Sequence, residues 1–439
     1  MAKRSKALLL LVVMLIGGWC AFVGEYWLYG AKWVAAEGSP YGNRGIVTDR
    51  NGILLRDFGN GGYSASPELR RATVHWVGDT AGNIHTPVLD YYKSKLMGYD
   101  VVTGLYSTGG QSVGMLTVSS SVQKTALEAM DGRRGTVAVY NYETGAILCA
   151  LSAPGGDPLG ADGTEDGRYM NRFLQGLYTP GSIFKIVTAG AALENIPDIL
   201  QQRFVCNGRV EYGNGRVTCE RAHGKLDLYG AMAESCNCAF AKIVDQLGKE
   251  RLYSFVQRCG ITQRVAMDGA KSAGGNVNVN GTSVDLAWAG IGQYQDAINP
   301  AAFLRFMGAI AGGGRGCQPY IMERIEKDGK TVYQAQPVLD ERRMSDFAAA
   351  QLRKILRNNV KKEYGDEHFP GMAVCAKTGT AQVGGGQKAT ALFAGFVADE
   401  AYPLAFFVAV EEGGYGRSTC IPIMGKVLSA CRMEMDKMR

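Results

Sequence analysis

Ser182-Ile183-Phe184-Lys185 lies between the turn-forming run Tyr178-Thr179-Pro180-Gly181 and the apolar run Ile186-Val187-Thr188-Ala189-Gly190-Ala191-Ala192-Leu193. A turn followed by an unbroken apolar stretch predicts a buried helix that opens at Ser182. On such a helix residues i and i+3 share a face, so the Ser182 hydroxyl and the Lys185 amine meet one turn apart. The helix N-terminus also favours negative charge developing there. Alone, the spacing carries little weight, because serine and lysine often fall three apart by chance.

Two later stretches change that weight. Ser235-Cys236-Asn237 follows downstream, and Lys377-Thr378-Gly379-Thr380 comes later still, flanked by Met372-Ala373-Val374-Cys375-Ala376 and Ala381-Gln382-Val383, which read as a strand. S-x-x-K, then S-x-N, then K-T-G is the ordered signature of serine acyl-transfer enzymes of the penicillin-recognising superfamily. S-x-N alone is usually a cap or turn and K-T-G alone a strand end; the ordered set is far more specific.

Acyl transfer needs a nucleophile, a base, an oxyanion site and a grip on the substrate's charge. Ser182 supplies the nucleophile. Lys185 acts as base only when neutral, which requires burial and nearby positive charge, and Lys377 supplies that charge. Ser235 bridges the proton towards the leaving amine, and Asn237 orients Lys185 and reaches the acyl donor's backbone. Gly379, without a side chain, leaves room for a substrate laid along the strand edge. Thr378 and Thr380, beside Lys377, form a site for a terminal carboxylate. The N–H groups of Ser182 and Thr380 are the expected oxyanion hole, worth roughly 3 kcal/mol per donor in comparable sites.

At 439 residues the chain is long enough for a large core and a smaller module. The net charge of +6 comes without a basic stripe carrying interleaved aromatics, which argues against a nucleic-acid partner. The glycines show no period; the two runs of three, Gly312-Gly313-Gly314 and Gly384-Gly385-Gly386, read as loops.

Lys3, Arg4 and Lys6 precede residues 7–23, which carry no charge, and Glu25, Tyr26, Trp27 and Tyr29 follow. Basic residues ahead of an apolar segment keep the N-terminus inside and send the rest outward. No small-x-small cleavage site ends the run, and Trp19 stands before Cys20 where a lipoprotein site needs a small residue, so an uncleaved anchor over residues 7–29 is expected.

Eleven cysteines are many for an exported chain, and an odd total leaves at least one unpaired within it. Cys206 and Cys219 flank a segment that reads as a hairpin turning at Asn214-Gly215. A Cys206–Cys219 disulfide, reduced thiols, and a zinc site with His223 and Cys236 or Cys238 all fit the spacing. Cys149, Cys375 and Cys431 sit in or beside apolar runs and read as small core residues.

Around the motifs, residues 119–130 read as a helix, and 136–140 with 146–152 as a hairpin. Asn299-Pro300 reads as a cap and first position for a helix over 301–311. Strands follow at 392–397 and 404–410, then a closing helix over 421–435. The expected fold is an α/β sandwich of the α+β kind with a largely antiparallel sheet, the serine lying between the sheet and a helical part.

With those residues in view, the chain resembles the class B penicillin-binding proteins, membrane-anchored D,D-transpeptidases that cross-link peptidoglycan. Arg44-Gly45-Ile46-Val47-Thr48-Asp49-Arg50-Asn51-Gly52 is similar to the family's opening motif, and Leu116-Thr117-Val118 with Gln123 to the start of its transpeptidase domain. Gly290-Ile291-Gly292-Gln293 with Asn299-Pro300, and Phe393-Ala394-Gly395-Phe396 after K-T-G, are similar to later landmarks. Ser119 stands where the family commonly has Asp.

The resemblance implies a cytoplasmic tail (1–6), a transmembrane anchor (7–29), a short N-terminal pedestal (30–113) and a penicillin-binding transpeptidase domain (114–439), as in compact Gram-positive members. No room is expected for a glycosyltransferase domain. It further implies D-Ala-D-Ala stem peptides as substrate, β-lactams as acylating inhibitors and the cytoplasmic membrane as location, with the catalytic domain outside. Neither cofactor nor metal is implied in catalysis. A SEDS-type glycosyltransferase is the implied partner, contacted through anchor and pedestal. The alternatives are a D,D-carboxypeptidase, in which water is the acceptor; a β-lactamase, disfavoured by the anchor, the pedestal and the lack of an evident deacylating base; and a β-lactam sensor, disfavoured by a cytoplasmic part of only residues 1–6.

Overall fold

The computed structural model describes residues 2–34, 45–59, 61–97, 99–100, 104–105, 112–160, 167–382 and 388–437. Arg44, Val383 and the run Gly384-Gly385-Gly386 lie outside the described residues. The centre is a five-stranded antiparallel sheet in the spatial order Val374–Ala381, Thr390–Val397, Leu404–Val410, Gly135–Asn141, Ile147–Ala153. Four of these strands are apolar on both faces, as a sheet covered on both sides requires. Alternate residues serve different cores. Ala138, Tyr140, Leu392, Ala394 and Phe407 pack with Phe303 of the helix Pro300–Ala311. Val137, Val139, Phe393, Phe406 and Val408 pack with Met424 and Val427 of the helix Gly416–Asp436.

The helix expected over 119–130 spans Ser120–Met130, and Ser119 is its cap, accepting from the Val122 N–H at 3.5 Å. Asp49 accepts from the Ser120 N–H at 2.9 Å, so a carboxylate of the opening motif holds this helix start. Asn299 caps Pro300–Ala311, accepting from the Ala301 N–H at 3.0 Å. The closing helix begins at Gly416, earlier than its apolar run suggests, and carries Pro422 in its interior.

A helical layer stands over one end of the sheet. It includes Lys185–Asn195 and Asn237–Cys259, the latter broken at Gly248, where φ is 70°. Ahead of Asn237, Arg209–Tyr212 pairs antiparallel with Gly215–Thr218. The two-residue turn is Gly213-Asn214, one residue before the expected place. Register decides this: Val210 opposite Val217 puts both valines on the inward face, and a one-residue slip would turn them outward.

The N-terminal module has a six-stranded sheet in the order Lys330–Gln334, Met322–Lys327, Val113–Leu116, Ile46–Thr48, Leu54–Asp57, Gly62–Tyr63. The boundary expected between residues 113 and 114 falls inside its third strand, and a hairpin from much later in the chain, Met322–Lys327 with Lys330–Gln334, completes the sheet. The first helix, Ala2–Val34, has an apolar stretch over Arg4–Leu28 whose side chains are exposed, long enough to cross a membrane.

Candidate active site

Ser182 lies on a 3-10 turn, Gly181–Phe184, and the α-helix begins only at Lys185. This differs from the expected helix start. In a 3-10 turn residues i and i+3 eclipse, which aligns serine and lysine more closely than an α-turn would. The Lys185 amine donates to the Ser182 hydroxyl at 2.9 Å. The turn is held by its neighbours: Gly181 has φ 52°, and a Cβ there would come within 2.7 Å of the Thr380 carbonyl oxygen. Gly181→Ala is therefore expected to destabilise the fold by about 1–3 kcal/mol and to slow penicillin labelling. Thermal unfolding and labelling kinetics check this; an unchanged Tm and rate would refute it.

Ser235 and Asn237 come to the same point from the start of Asn237–Cys259. The Ser235 hydroxyl donates to the Ser182 hydroxyl at 2.9 Å. Around the Lys185 amine stand the Ser235 carbonyl at 2.7 Å, the Ser235 hydroxyl at 3.1 Å and the Asn237 Oδ1 at 2.7 Å. Ser235 has φ 51°, rare for a residue with a Cβ. Its strained backbone turns both its carbonyl and its hydroxyl to the amine. The other end of the Asn237 amide donates to the Thr218 carbonyl at 2.8 Å, fixing which end faces Lys185.

Lys185 is fully buried, and the Phe240 ring lies 5.9 Å from its nitrogen. Burial first, and the Lys377 charge second, bring its pKa down to about 7. Among the described residues, the hydrogen-bond partners of this amine are all neutral oxygens. Lys377, also buried, is lowered by burial to about 8, with Glu363 opposing the shift. At neutral pH much of Lys185 is neutral while most of Lys377 is charged.

The strand Val374–Ala381 carries the third motif. Gly379 is needed for packing: a Cβ would come 2.8 Å from the Pro180 carbonyl oxygen and 3.2 Å from Ile183 Cγ2. A side chain at this position would therefore press on the turn that carries Ser182. Thr378 is tied to Tyr364, whose hydroxyl accepts from the Thr378 N–H at 2.9 Å and lies 2.9 Å from the Thr378 hydroxyl. Thr380 is half-buried, with its carbonyl facing Gln293 Nε2 at 3.4 Å. Tyr364 and Phe240 belong to no motif; only an apolar helix marks Phe240, and nothing local marks Tyr364.

Residues 135–429 match the family described as the penicillin binding protein transpeptidase domain. The chain is 28% identical to stage V sporulation protein D of Bacillus subtilis over 71% of its own length and 52% of that protein's. It is 28% identical to the peptidoglycan D,D-transpeptidase PbpA of Mycolicibacterium smegmatis over 72% of its length and 70% of that protein's. The chain thus spans about half the length of the first relative and more of the second. Penicillin-binding protein A of M. tuberculosis, solved as a ceftriaxone acyl-enzyme complex, superposes with a TM-score of 0.77 at 21% identity, covering 89% of this chain and 98% of that one. The D,D-transpeptidase domain of a peptidoglycan glycosyltransferase from Eggerthella lenta has a TM-score of 0.77 at 23% identity, with coverages of 90% and 99%. The family match covers well over half of the sequence and spans the sheet, the serine turn and both lysines: the chain belongs to the penicillin-binding protein transpeptidase family.

Proposed function

We propose that this protein is a peptidoglycan D,D-transpeptidase working through an acyl-enzyme on Ser182. The observation that carries the reading is the buried Lys185 amine, held among neutral oxygens and within hydrogen-bonding distance of Ser182. Lys185 takes the hydroxyl proton as Ser182 Oγ attacks the penultimate D-alanine carbonyl of a stem peptide. The N–H groups of Ser182 and Thr380 receive the oxyanion, a role supported by Gly181, next to Ser182, lying against Thr380. The proton then passes from Lys185 through Ser235 to the departing D-alanine nitrogen, and the ester remains. An amine from a second stem attacks that ester, gives up its proton along the same path and restores Ser182. Lys377 and Thr380, with the Thr378 hydroxyl shared with Tyr364, receive the terminal carboxylate. A β-lactam follows the first half, except that its ring nitrogen stays attached.

The exposed apolar helix supports a single-pass anchor with the catalytic part outside the cytoplasmic membrane. Residues 30–113 with the hairpin Met322–Gln334 form the pedestal, and the family resemblance supports a SEDS-type glycosyltransferase as the partner engaged there.

The test is mass spectrometry of the purified chain with a synthetic D-Ala-D-Ala stem peptide, with and without an amine acceptor. Release of D-alanine and transfer to the amine are expected. Release with water as the only acceptor would make it a carboxypeptidase, and no acylation at all would refute the reading. A second measurement uses pH. The neutral amine is the base, so acylation is expected to be slow below the Lys185 pKa and to rise, as one proton leaves, through about pH 7. Lys377→Gln removes the neighbouring charge and moves the rising limb to higher pH. A profile flat from pH 5 to 9 would rule out the amine as base.

A further inference from the structure

Four side chains beside the active site meet in a pattern that catalysis does not use. Cys206, Cys219, His223 and Cys236 offer donor atoms that all lie within 4.8 Å of one another. Cys206 Sγ is 3.7 Å from Cys219 Sγ and 3.4 Å from His223 Nδ1, and Cys219 Sγ is 3.8 Å from Cys236 Sγ. A tetrahedral zinc ion, with Zn–S about 2.3 Å and Zn–N about 2.0–2.1 Å, sets ligand edges of roughly 3.8 Å for S–S and 3.6 Å for S–N. These three separations lie close to those edges, and the remaining donor pairs lie within 4.8 Å. They are far longer than the S–S bond of about 2.05 Å in a disulfide.

The surroundings suit bound thiolates. The Cys238 N–H points at Cys219 Sγ at 3.3 Å, and the Ala239 N–H points at Cys236 Sγ at 3.4 Å, from the first turn of Asn237–Cys259. Peptide donors and a helix N-terminus stabilise sulfur in its anionic form. His223 presents Nδ1 to the cluster while its Nε2 faces Glu234 Oε2 at 3.8 Å, and Arg221 donates to the same oxygen at 2.6 Å. A carboxylate behind a ligating imidazole is the usual device for orienting the ring.

We propose that Cys206, Cys219, His223 and Cys236 bind one zinc ion, and that this ion positions the S-x-N motif. Three thiolates and one imidazole form a closed set that suits a soft, tetrahedral divalent ion and excludes calcium and magnesium. Binding displaces the thiol protons to solvent, with no change of oxidation state. Cys236 is the middle residue of Ser235-Cys236-Asn237. Cys219 follows Thr218, whose carbonyl accepts from Asn237. The ion therefore clamps the strand Gly215–Thr218 to the helix start on both sides of that hydrogen bond, and holds Ser235 in its strained backbone conformation. The metal touches neither substrate nor Ser182.

Metal binding can be measured without reference to acylation; the positioning role rests on Ser182 being the nucleophile. The full chain, purified in detergent under reducing conditions, is assayed for zinc by native mass spectrometry and, after chelator treatment, titrated with Co²⁺. One zinc per chain and the charge-transfer absorption of a cobalt–thiolate site are expected. Cys206→Ser, His223→Ala and Cys236→Ser should each weaken Co²⁺ binding at least tenfold, while Cys20→Ser leaves it unchanged. Where a variant fails to fold, the wild-type stoichiometry and cobalt spectrum still decide. Stripped protein whose circular dichroism is unchanged should acylate at least tenfold more slowly with a fluorescent penicillin, with a smaller change in non-covalent binding, and recover with Zn²⁺. A metal-free chain that gives no cobalt spectrum would overturn the site. So would peptide mapping that finds Cys219 joined to Cys206 or Cys238, the latter 3.4 Å away. Acylation indifferent to stripping would overturn the positioning role alone. A chain that binds cobalt yet is never acylated would instead fault the reading of Ser182.

Discussion

Ser182→Ala is expected to abolish covalent labelling by a fluorescent penicillin while the cooperative unfolding transition survives. The hydroxyl is the only part of the residue that reacts, and alanine keeps the backbone of the turn Gly181–Phe184. The packing that holds this turn comes from Gly181, Ile183 and Phe184, the latter two fully buried, and none of these changes. The mutant loses one hydroxyl from a cluster in which the Lys185 amine keeps Ser235 and Asn237 as partners. Gel fluorescence and intact mass read the outcome together: no adduct at long exposure, with Tm little changed. Stoichiometric labelling of Ser182→Ala would place the nucleophile elsewhere.

Lys185→Ala is expected to slow acylation by about a thousandfold, the middle of the range for losing a positioned general base. Non-covalent affinity should fall much less, because the buried amine lies beneath the serine. Stopped-flow fluorescence separates the two by resolving the binding constant from the first-order acylation step. The truncation also leaves a cavity against Phe240 and removes the donor that engages the Ser235 carbonyl and Asn237 Oδ1. Lys185→Met, which fills more of that space without a base, should be equally slow and closer to wild type in Tm. An acylation rate within a fewfold of wild type in either variant would show that another group takes the proton.

Much of this site was legible in the chain because acyl transfer restricts residue type. Ser182 with Lys185, Ser235 with Asn237, and Lys377 ahead of Gly379 stand at short local spacings that chemistry constrains, so they could be read without knowing the fold. The sheet strands were readable for a similar reason: strands covered on both faces are written as apolar runs, as in Leu404–Val410.

Features set by distant segments were not readable. The 3-10 turn at Ser182 depends on Gly181 lying against Thr380, which is remote in sequence. A Cβ at Gly379 would press on Pro180 and Ile183, which are remote in sequence. Tyr364 reaches Thr378 from a segment with no motif, and the hairpin Met322–Gln334 completes a sheet begun at Ile46. Spacing left the cysteines with three readings. Only the fold sets Cys206, Cys219, His223 and Cys236 around one point.

The order and type of its motif residues were enough to point to a reaction class and to a proposed nucleophile and base, because those properties belong to individual side chains. The tertiary structure decided the state in which they work. Whether Lys185 is neutral depends on how much water it loses and how near Lys377 stands, and both follow from segments far apart in sequence folding together. Whether four sulfur and nitrogen donors can share a metal is likewise a matter of distances, which spacing along the chain does not contain.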